Sequence, residues 1–152
     1  MEKFNLNARA SYGIRWLAKT DGAVLNGDDD LFTITGGPIH VVRFAGIVTT
    51  VIGGAANCTI QEAVEEPAGD VALSTTVAID SDAAGTSYTF TAANPSVLTP
   101  TTAGALANVA DCNWLCPIGT IQALCSAAQT GVIEWYMGYI PLTKNAKVTV
   151  AA

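Results

Sequence analysis

"FTITGGPIHVVRFAGIVTTVIGG", residues 32–54, is largely apolar, is framed by two Gly-Gly pairs and holds the chain's only histidine, His40. Three readings compete for it: a membrane span, a catalytic strand and a core strand of a β-protein. The longest apolar candidate, residues 38–52, falls short of the roughly 20 residues a spanning helix needs, and Arg43 would sit near the bilayer centre. Ile, Val, Thr and Phe between Gly-Gly-Pro and Gly-Gly instead punctuate a strand. Ile39, Val41, Arg43 and Ala45 share one parity and His40, Val42, Phe44 and Gly46 the other, so neither face is polar. Such a strand is expected to be covered on both faces, or to bend at Gly46 and pass between two sheets.

Period-two segments recur on either side of this stretch. They are "YGIRWLA" (12–18), "LFTIT" (31–35), "NCTIQEA" (57–63), "VALSTTVAI" (71–79), "SYTFTA" (87–92), "GTIQALCSA" (119–127), "GVIEWYMGYIPL" (131–142) and "KVTVAA" (147–152). In "NCTIQEA", Cys58 and Ile60 oppose Thr59 and Gln61; before Pro141, Ile133, Trp135, Met137 and Tyr139 share a face. Eight or nine strands joined by Gly, Pro, Asn and Asp turns predict an all-β chain, a β-sandwich of jelly-roll type or a partly closed barrel. Residues 101–114, "TTAGALANVADCNW", allow one short helix capped by Thr101 or Thr102, which Gly104 weakens.

The chain of 152 residues is one domain's worth and is half apolar but only 13% charged, with Ala, Thr, Val and Gly prominent. So little charge leaves a neutral surface of the kind proteins cover with a partner. Residues 1–19 carry Lys3, Arg9, Arg15 and Lys19 against Glu2, a net +3; the other 133 residues hold three basic and twelve acidic groups, a net −9. The expected organisation is therefore a basic N-terminal arm, residues 1–19, leading into a single β-domain, residues 20–152. Between Arg43 and Lys144 there is no Lys or Arg, which excludes a phosphate-tracking groove and with it nucleic acid as the main partner.

Enzymatic and metal chemistry find little purchase. His40 lies in an apolar strand, as a packed or edge histidine does, and no GxSxG, HExxH or phosphate loop accompanies it. Pairing of His40 with one of the four cysteines stays open, although nothing in the spacing locates it. Cys112 and Cys116 form C-x3-C without a second close pair, which does not make a zinc site, and no other cofactor is indicated. "MEKFNLNARASYGIRW" lacks the apolar run of a secretory signal, so a reducing cytosol is the expected site of synthesis. There Cys58, Cys112, Cys116 and Cys125 are expected as buried thiols rather than bridges. Asp28, Asp29 and Asp30 lack the alternating ligands of a calcium loop and read as a solvated turn. Glu65–Glu66 and the carboxylates at 80–82 read as polar hairpin tips.

Residues 31–61 and 117–152 carry a "TGGP" turn opening a strand that ends in "VTTVI", then a "GTIQ" strand, a "TG" turn, an aromatic strand and a "PL" close. In this combination the chain resembles a group of small structural proteins of tailed bacteriophage virions. The resemblance leaves residues 62–110 and the arm unassigned, and its motifs are structural rather than catalytic. It implies a virion component on the capsid surface, a decoration or cement protein whose partner is the major capsid protein; self-association as a trimer is expected because it would supply multivalent attachment, and no membrane contact is expected. Phe4, Arg9, Tyr12, Arg15 and Trp16 are the expected interface residues, because aromatic and Arg side chains supply most anchor energy. Two alternatives stand beside it. A tail or head-fibre subunit would need a shaft-like segment, and neither heptads nor long repeats occur. A carbohydrate-binding β-sandwich would need exposed aromatics near loops, for which Trp114 and Tyr88 are the candidates.

Overall fold

A computed structural model describes residues 13–24 and 26–152. Twelve strands occur among them: β1 (Arg15–Val24), β2 (Gly27–Thr35), β3 (Ile39–Thr50), β4 (Asn57–Val64), β5 (Gly69–Ala72), β6 (Val77–Ala78), β7 (Ser87–Phe90), β8 (Leu98–Thr101), β9 (Trp114–Cys116), β10 (Gly119–Cys125), β11 (Gln129–Pro141) and β12 (Lys147–Val150). No helix occurs among the described residues; between Thr101 and Trp114 the chain is an irregular loop, where a short helix was allowed for. The excess over the eight or nine expected strands comes from short pieces. "VALSTTVAI" breaks into the end of β5 and the two-residue β6, and β8 and β9 are three or four residues long.

The strands form two antiparallel sheets packed face to face. Sheet A has the order β1-β11-β3-β7-β8 with β9 also on β3; sheet B has the order β12-β2-β10-β4-β5 with β6 also on β4. The pairs β1·β11, β2·β10, β3·β7 and β4·β5 nest inside one another along the chain and alternate between the two sheets. That is one long hairpin wound around a core, the order of a jelly roll. The hydrogen-bond ladders do not close into a barrel.

A bulge resolves the ambiguous parity of the opening stretch. On β11 Gly138 faces Arg43 and the next residue, Tyr139, faces Val41, so Val42 is an extra residue in β3. Ile39 and Val41 point inward before the bulge, and Phe44, Gly46 and Val48 after it. β3 therefore stays within sheet A and does not cross to the other sheet at Gly46: the phase slips, not the strand. The Val42 carbonyl accepts the Cys112 amide at 3.0 Å, which ties the 102–113 loop to the bulge. A second bulge, at Leu31 opposite Ile121 and Gln122, shifts β2 in the same manner. Before it Asp28, Asp29 and Asp30 are strand residues, not a turn. Asp28 and Asp30 accept bonds from the Gln61 and Gln122 side-chain amides at 3.0 and 2.7 Å on the outer face of sheet B.

Phe44 sits at the centre of the core. Its ring lies 5.9 Å from Phe32, 5.3 Å from Phe90, 5.3 Å from Trp114 and 5.7 Å from Trp135. Beside it a Cβ on Gly46 would come within 2.6 Å of the Trp135 ring, so only glycine admits the indole there. As the alternation of β11 predicts, Ile133, Trp135, Met137 and Tyr139 all face inward and are buried. Tyr139 spans the sandwich: its hydroxyl accepts the Val148 amide of β12 at 3.4 Å.

Two contacts close the edges between the sheets. Lys19, counted above with the basic arm, is buried on β1 at the register of Trp135; its ammonium donates to the Ala151 carbonyl at 2.9 Å and pairs with Asp21 at 3.3 Å. Asp29 shares this edge, and burial raises its pKa although Lys19 opposes the shift. At the other edge a parallel bridge joins Ser74 to Ser96, whose hydroxyl accepts the Trp114 indole N–H at 2.8 Å. β1 thus runs through the boundary expected at residue 19, because Leu17 and Lys19 belong to the inner face of sheet A.

Cys58 and Cys125 are directly opposite in the β4·β10 register, Cα–Cα 4.3 Å, and form a disulfide. This corrects the expectation of four buried thiols: inward alternation on adjacent strands placed the two sulfurs together, and only Cys112 and Cys116 remain free and buried. Thiol titration of denatured protein should find two groups before reduction and four after. The bridge closes a loop of sequence separation 67, so its removal by Cys58→Ala/Cys125→Ala should cost about 2–4 kcal/mol in urea unfolding. In the same assay Phe44→Ala should lose about 3–5 kcal/mol and Gly46→Val about 1–3 kcal/mol by overpacking against Trp135.

Candidate docking face

The two outer faces of the sandwich differ in chemistry. On sheet B the outward side chains bond to one another: Gln61 donates to Gln122 at 3.1 Å as well as to Asp28, and the Thr59 and Thr76 hydroxyls meet at 2.7 Å. Such a face is satisfied in water. On sheet A the outward register brings together Trp16 of β1, Tyr136 and Gly138 of β11, and Ala45 and Ile47 of β3.

Trp16 is opposite Gly138 and its ring covers the glycine, with ring atoms 3.1 Å from where a Cβ would stand. A side chain at 138 would displace the indole; glycine lets it lie on the sheet with its other face in solvent. Trp16 is 60% exposed. Next to it Trp16, Arg43, Ala45, Ile47, Tyr136 and Val109 line a depression of about 340 Å³. The wall carrying Val109 is the 102–113 loop, held over sheet A by the Cys112 bond to Val42 and by an Arg43–Asp111 ion pair. Leu106, near the middle of this loop, is 90% exposed.

Along β9 the same face continues through Leu115, 67% exposed and opposite His40. Pro38, Leu115, Pro117, Leu142 and Thr143 line a second, apolar groove of about 510 Å³. The charged groups on this face are largely answered locally: Arg43 by Asp111, and Glu134 by the Tyr136 hydroxyl at 2.5 Å. The result is a nearly neutral face with Trp16, Ile47, Val109, Leu106 and Leu115 in water.

Of the expected interface residues, Trp16 is on this face, on the edge strand β1, and Arg15 is exposed beside it at the start of the same strand. Phe4, Arg9 and Tyr12 lie outside the described residues. Tyr136, Ile47, Val109, Leu106 and Leu115 were missed. The alternation of β11 already placed Tyr136 opposite the inward aromatics, but Ile47 needed the Val42 bulge, and the loop residues gave no periodic signal. Trp114 and Tyr88, the candidates for a sugar platform, are both core residues: the indole bonds to Ser96, and the Tyr88 hydroxyl donates to Asp82 at 2.5 Å.

The groups capable of chemistry are separated by the sheet. His40 is on the outer face, 3.3 Å from the Asn113 side-chain oxygen, while Cys116 points into the core at the register of Ile39. Burial pushes the Cys112 thiol up to about 12 and Cys116 well above its usual value, so both remain protonated and poorly nucleophilic at neutral pH. No group of three or more His, Cys, Asp or Glu is arranged to hold a metal ion among the described residues. Comparison of the chain with family models, curated proteins and solved structures gives no match. If burial controls the thiols, Cys112 and Cys116 should react at pH 8 at least about 100-fold more slowly in native than in urea-unfolded protein. Reaction of native protein at the unfolded rate would show the thiols to be accessible.

Proposed function

We propose that this protein is a non-enzymatic structural subunit of a tailed-phage virion, binding the outside of the capsid lattice as a decoration or cement protein. The single observation that carries a docking role is the unlike chemistry of the two outer faces, one internally bonded and one apolar around Trp16. The assignment to a virion rests on the sequence resemblance of residues 31–61 and 117–152.

A decoration subunit recognises an already folded, repeated surface. A rigid sandwich suits this because its face is ordered before contact and little entropy is lost on binding. The partner is the major capsid protein, and the outer face of sheet A is the surface that meets it, with Trp16 as anchor and Ile47, Leu106, Val109 and Leu115 as the apolar surround. Assembly into a trimer would give each particle several weak attachments at once, raising avidity without a new contact. Residues 1–12, which precede β1 in the sequence, carry Lys3, Phe4, Arg9 and Tyr12 as further charge and aromatic groups.

The experiment is co-sedimentation of purified protein with undecorated phage heads. Trp16→Ala should weaken binding by at least about 30-fold, as loss of a buried aromatic anchor of about 2 kcal/mol does, while Gln122→Ala and Thr120→Ala on sheet B change it less than about threefold. Removal of residues 1–12 leaves β1 intact and should weaken binding more at low salt than at high, where exposed ion pairs are screened. Equal binding by wild type and Trp16→Ala would remove sheet A as the docking face. Binding to glycans or tail components but not to heads would refute the decoration role.

A further inference from the structure

A buried carboxyl plays no part in the docking face. Glu62 of β4 lies on the inner face of sheet B, in phase with Cys58 and Ile60, and is 2% exposed. Its flanking residues in the sheet are Ile121 of β10 and Val71 of β5, neither able to ionise or hydrogen-bond through its side chain. Across the sandwich it meets the Cys116 thiol of β9. Its Oε1 has no hydrogen-bond partner although it is buried. A buried carboxylate without partners is among the most costly groups a core can hold, whereas a neutral carboxylic acid is tolerated.

The element opposite is lightly attached. β9 has three residues, pairs with β3 alone, and is followed by Pro117, which offers no amide. Its Trp114 end is anchored by Ser96 and the Phe44 cluster, but its Cys116 end borders the exposed Leu115 and the apolar groove. Two elements separate Glu62 from water, the exposed edge strand β5, whose Val71 is 52% exposed, and residues 115–117, and of the two it is Cys116 that meets the carboxyl.

We propose that Glu62 is a proton-operated latch on the Cys116 end of β9: neutral, its carboxyl is held between the sheets against Cys116, and on losing its proton to solvent it opens that end of the sandwich to water. Burial raises the Glu62 pKa from its ordinary 4.5 to about 7, against the opposing hydrogen bond with Cys116. Cys112 is the other ionisable side chain acting on Cys116, and it stays protonated in this range. On neighbouring strands His40 and Arg43 occupy the outer face of sheet A, Cys125 of β10 is in the disulfide, and Asp70 of β5 is exposed.

The sign follows from proton linkage. The closed form binds the proton more tightly than the open form, so closure is fully favoured below about pH 4.5 and weakens as pH rises toward about 7. Above about 7 both forms are ionised and the dependence levels off. The opening constant should rise by up to about tenfold per pH unit inside that window.

Amide exchange of Cys116 in the wild-type chain, corrected for intrinsic exchange, tests this between pH 5 and 8, with Phe44 as a marker of whole-molecule unfolding. Expected is a rise in the Cys116 opening constant of up to about tenfold per unit, flattening above 7, at an exchange faster than that of Phe44 and insensitive to low urea. Glu62→Gln should abolish the pH dependence; Glu62→Leu serves if the buried amide prevents folding. The latch is overturned if the Cys116 opening constant is flat across the range, if Cys116 exchanges only together with Phe44, or if the pH dependence persists in both variants.

Discussion

Everything in the sandwich is arranged around the Phe44 ring, which touches aromatic side chains from both sheets and from β9. Phe44 faces inward only because Val42 is an extra residue in β3. Without that bulge the alternation set by Ile39 and Val41 would carry Phe44 to the solvent face and Arg43 into the core. One residue of slip thus fixes the core, sends Arg43 outward to Asp111, and leaves a free carbonyl at Val42 to hold the Cys112 amide. The loop that walls the apolar depression is positioned by the same irregularity that centres the core.

Edges between packed sheets expose polar backbone groups, and this chain treats its two edges differently. At one, Lys19 lays its alkyl chain along the core and delivers its charge to the Ala151 carbonyl and Asp21. At the other, Ser74 and Ser96 form a backbone bridge, and the Ser96 hydroxyl also satisfies the Trp114 indole. Both edges are closed by groups with bonding capacity to spare. Glu62 stands apart: it is inside the sandwich, not at an edge, and the geometry leaves one of its oxygens unanswered. A group so placed is retained at a cost to stability, which is why it is the natural location for a device that responds to protons.

The contrast between the outer faces links fold to role. Sheet B spends its outward Gln, Asp and Thr side chains on one another, with Leu124 the exposed large apolar residue among them, so a partner there would have to desolvate polar groups that are already bonded. Sheet A sets an exposed indole over a glycine and surrounds it with aliphatic side chains, so covering it removes apolar surface from water with few polar groups to desolvate. The near neutrality of that face also means that attachment through it varies little with salt, unlike any contribution from the basic residues near the N-terminus.

Alternation, β-branched composition and glycine punctuation determine the two-layered β-structure, the inward face of β11 and the turns around residues 36–37 and 65–66. These features are local, set by the two-residue period of a strand and by which residues permit a turn. The inward position of Glu62 was also legible, since Cys58, Ile60 and Glu62 share a parity, but an acidic residue continuing an apolar phase is easily taken for the strand's end. What the linear pattern lacked was register across strands. The Cys58–Cys125 bridge depends on which residues of β4 and β10 stand opposite, and four cysteines allow three pairings. Asp28–Asp30 became strand where Gln122 of the adjacent β10 and Gln61 of β4 beyond it met the Asp30 and Asp28 carboxylates, and Lys19 joined the core because Ala151, far along the chain, offered its carbonyl. The Val42 bulge is one residue long and leaves no mark in composition. It exists because β11 must satisfy Met137 and Tyr139 inward while β3 keeps both Val41 and Phe44 in the core, a condition that only the paired strands can impose.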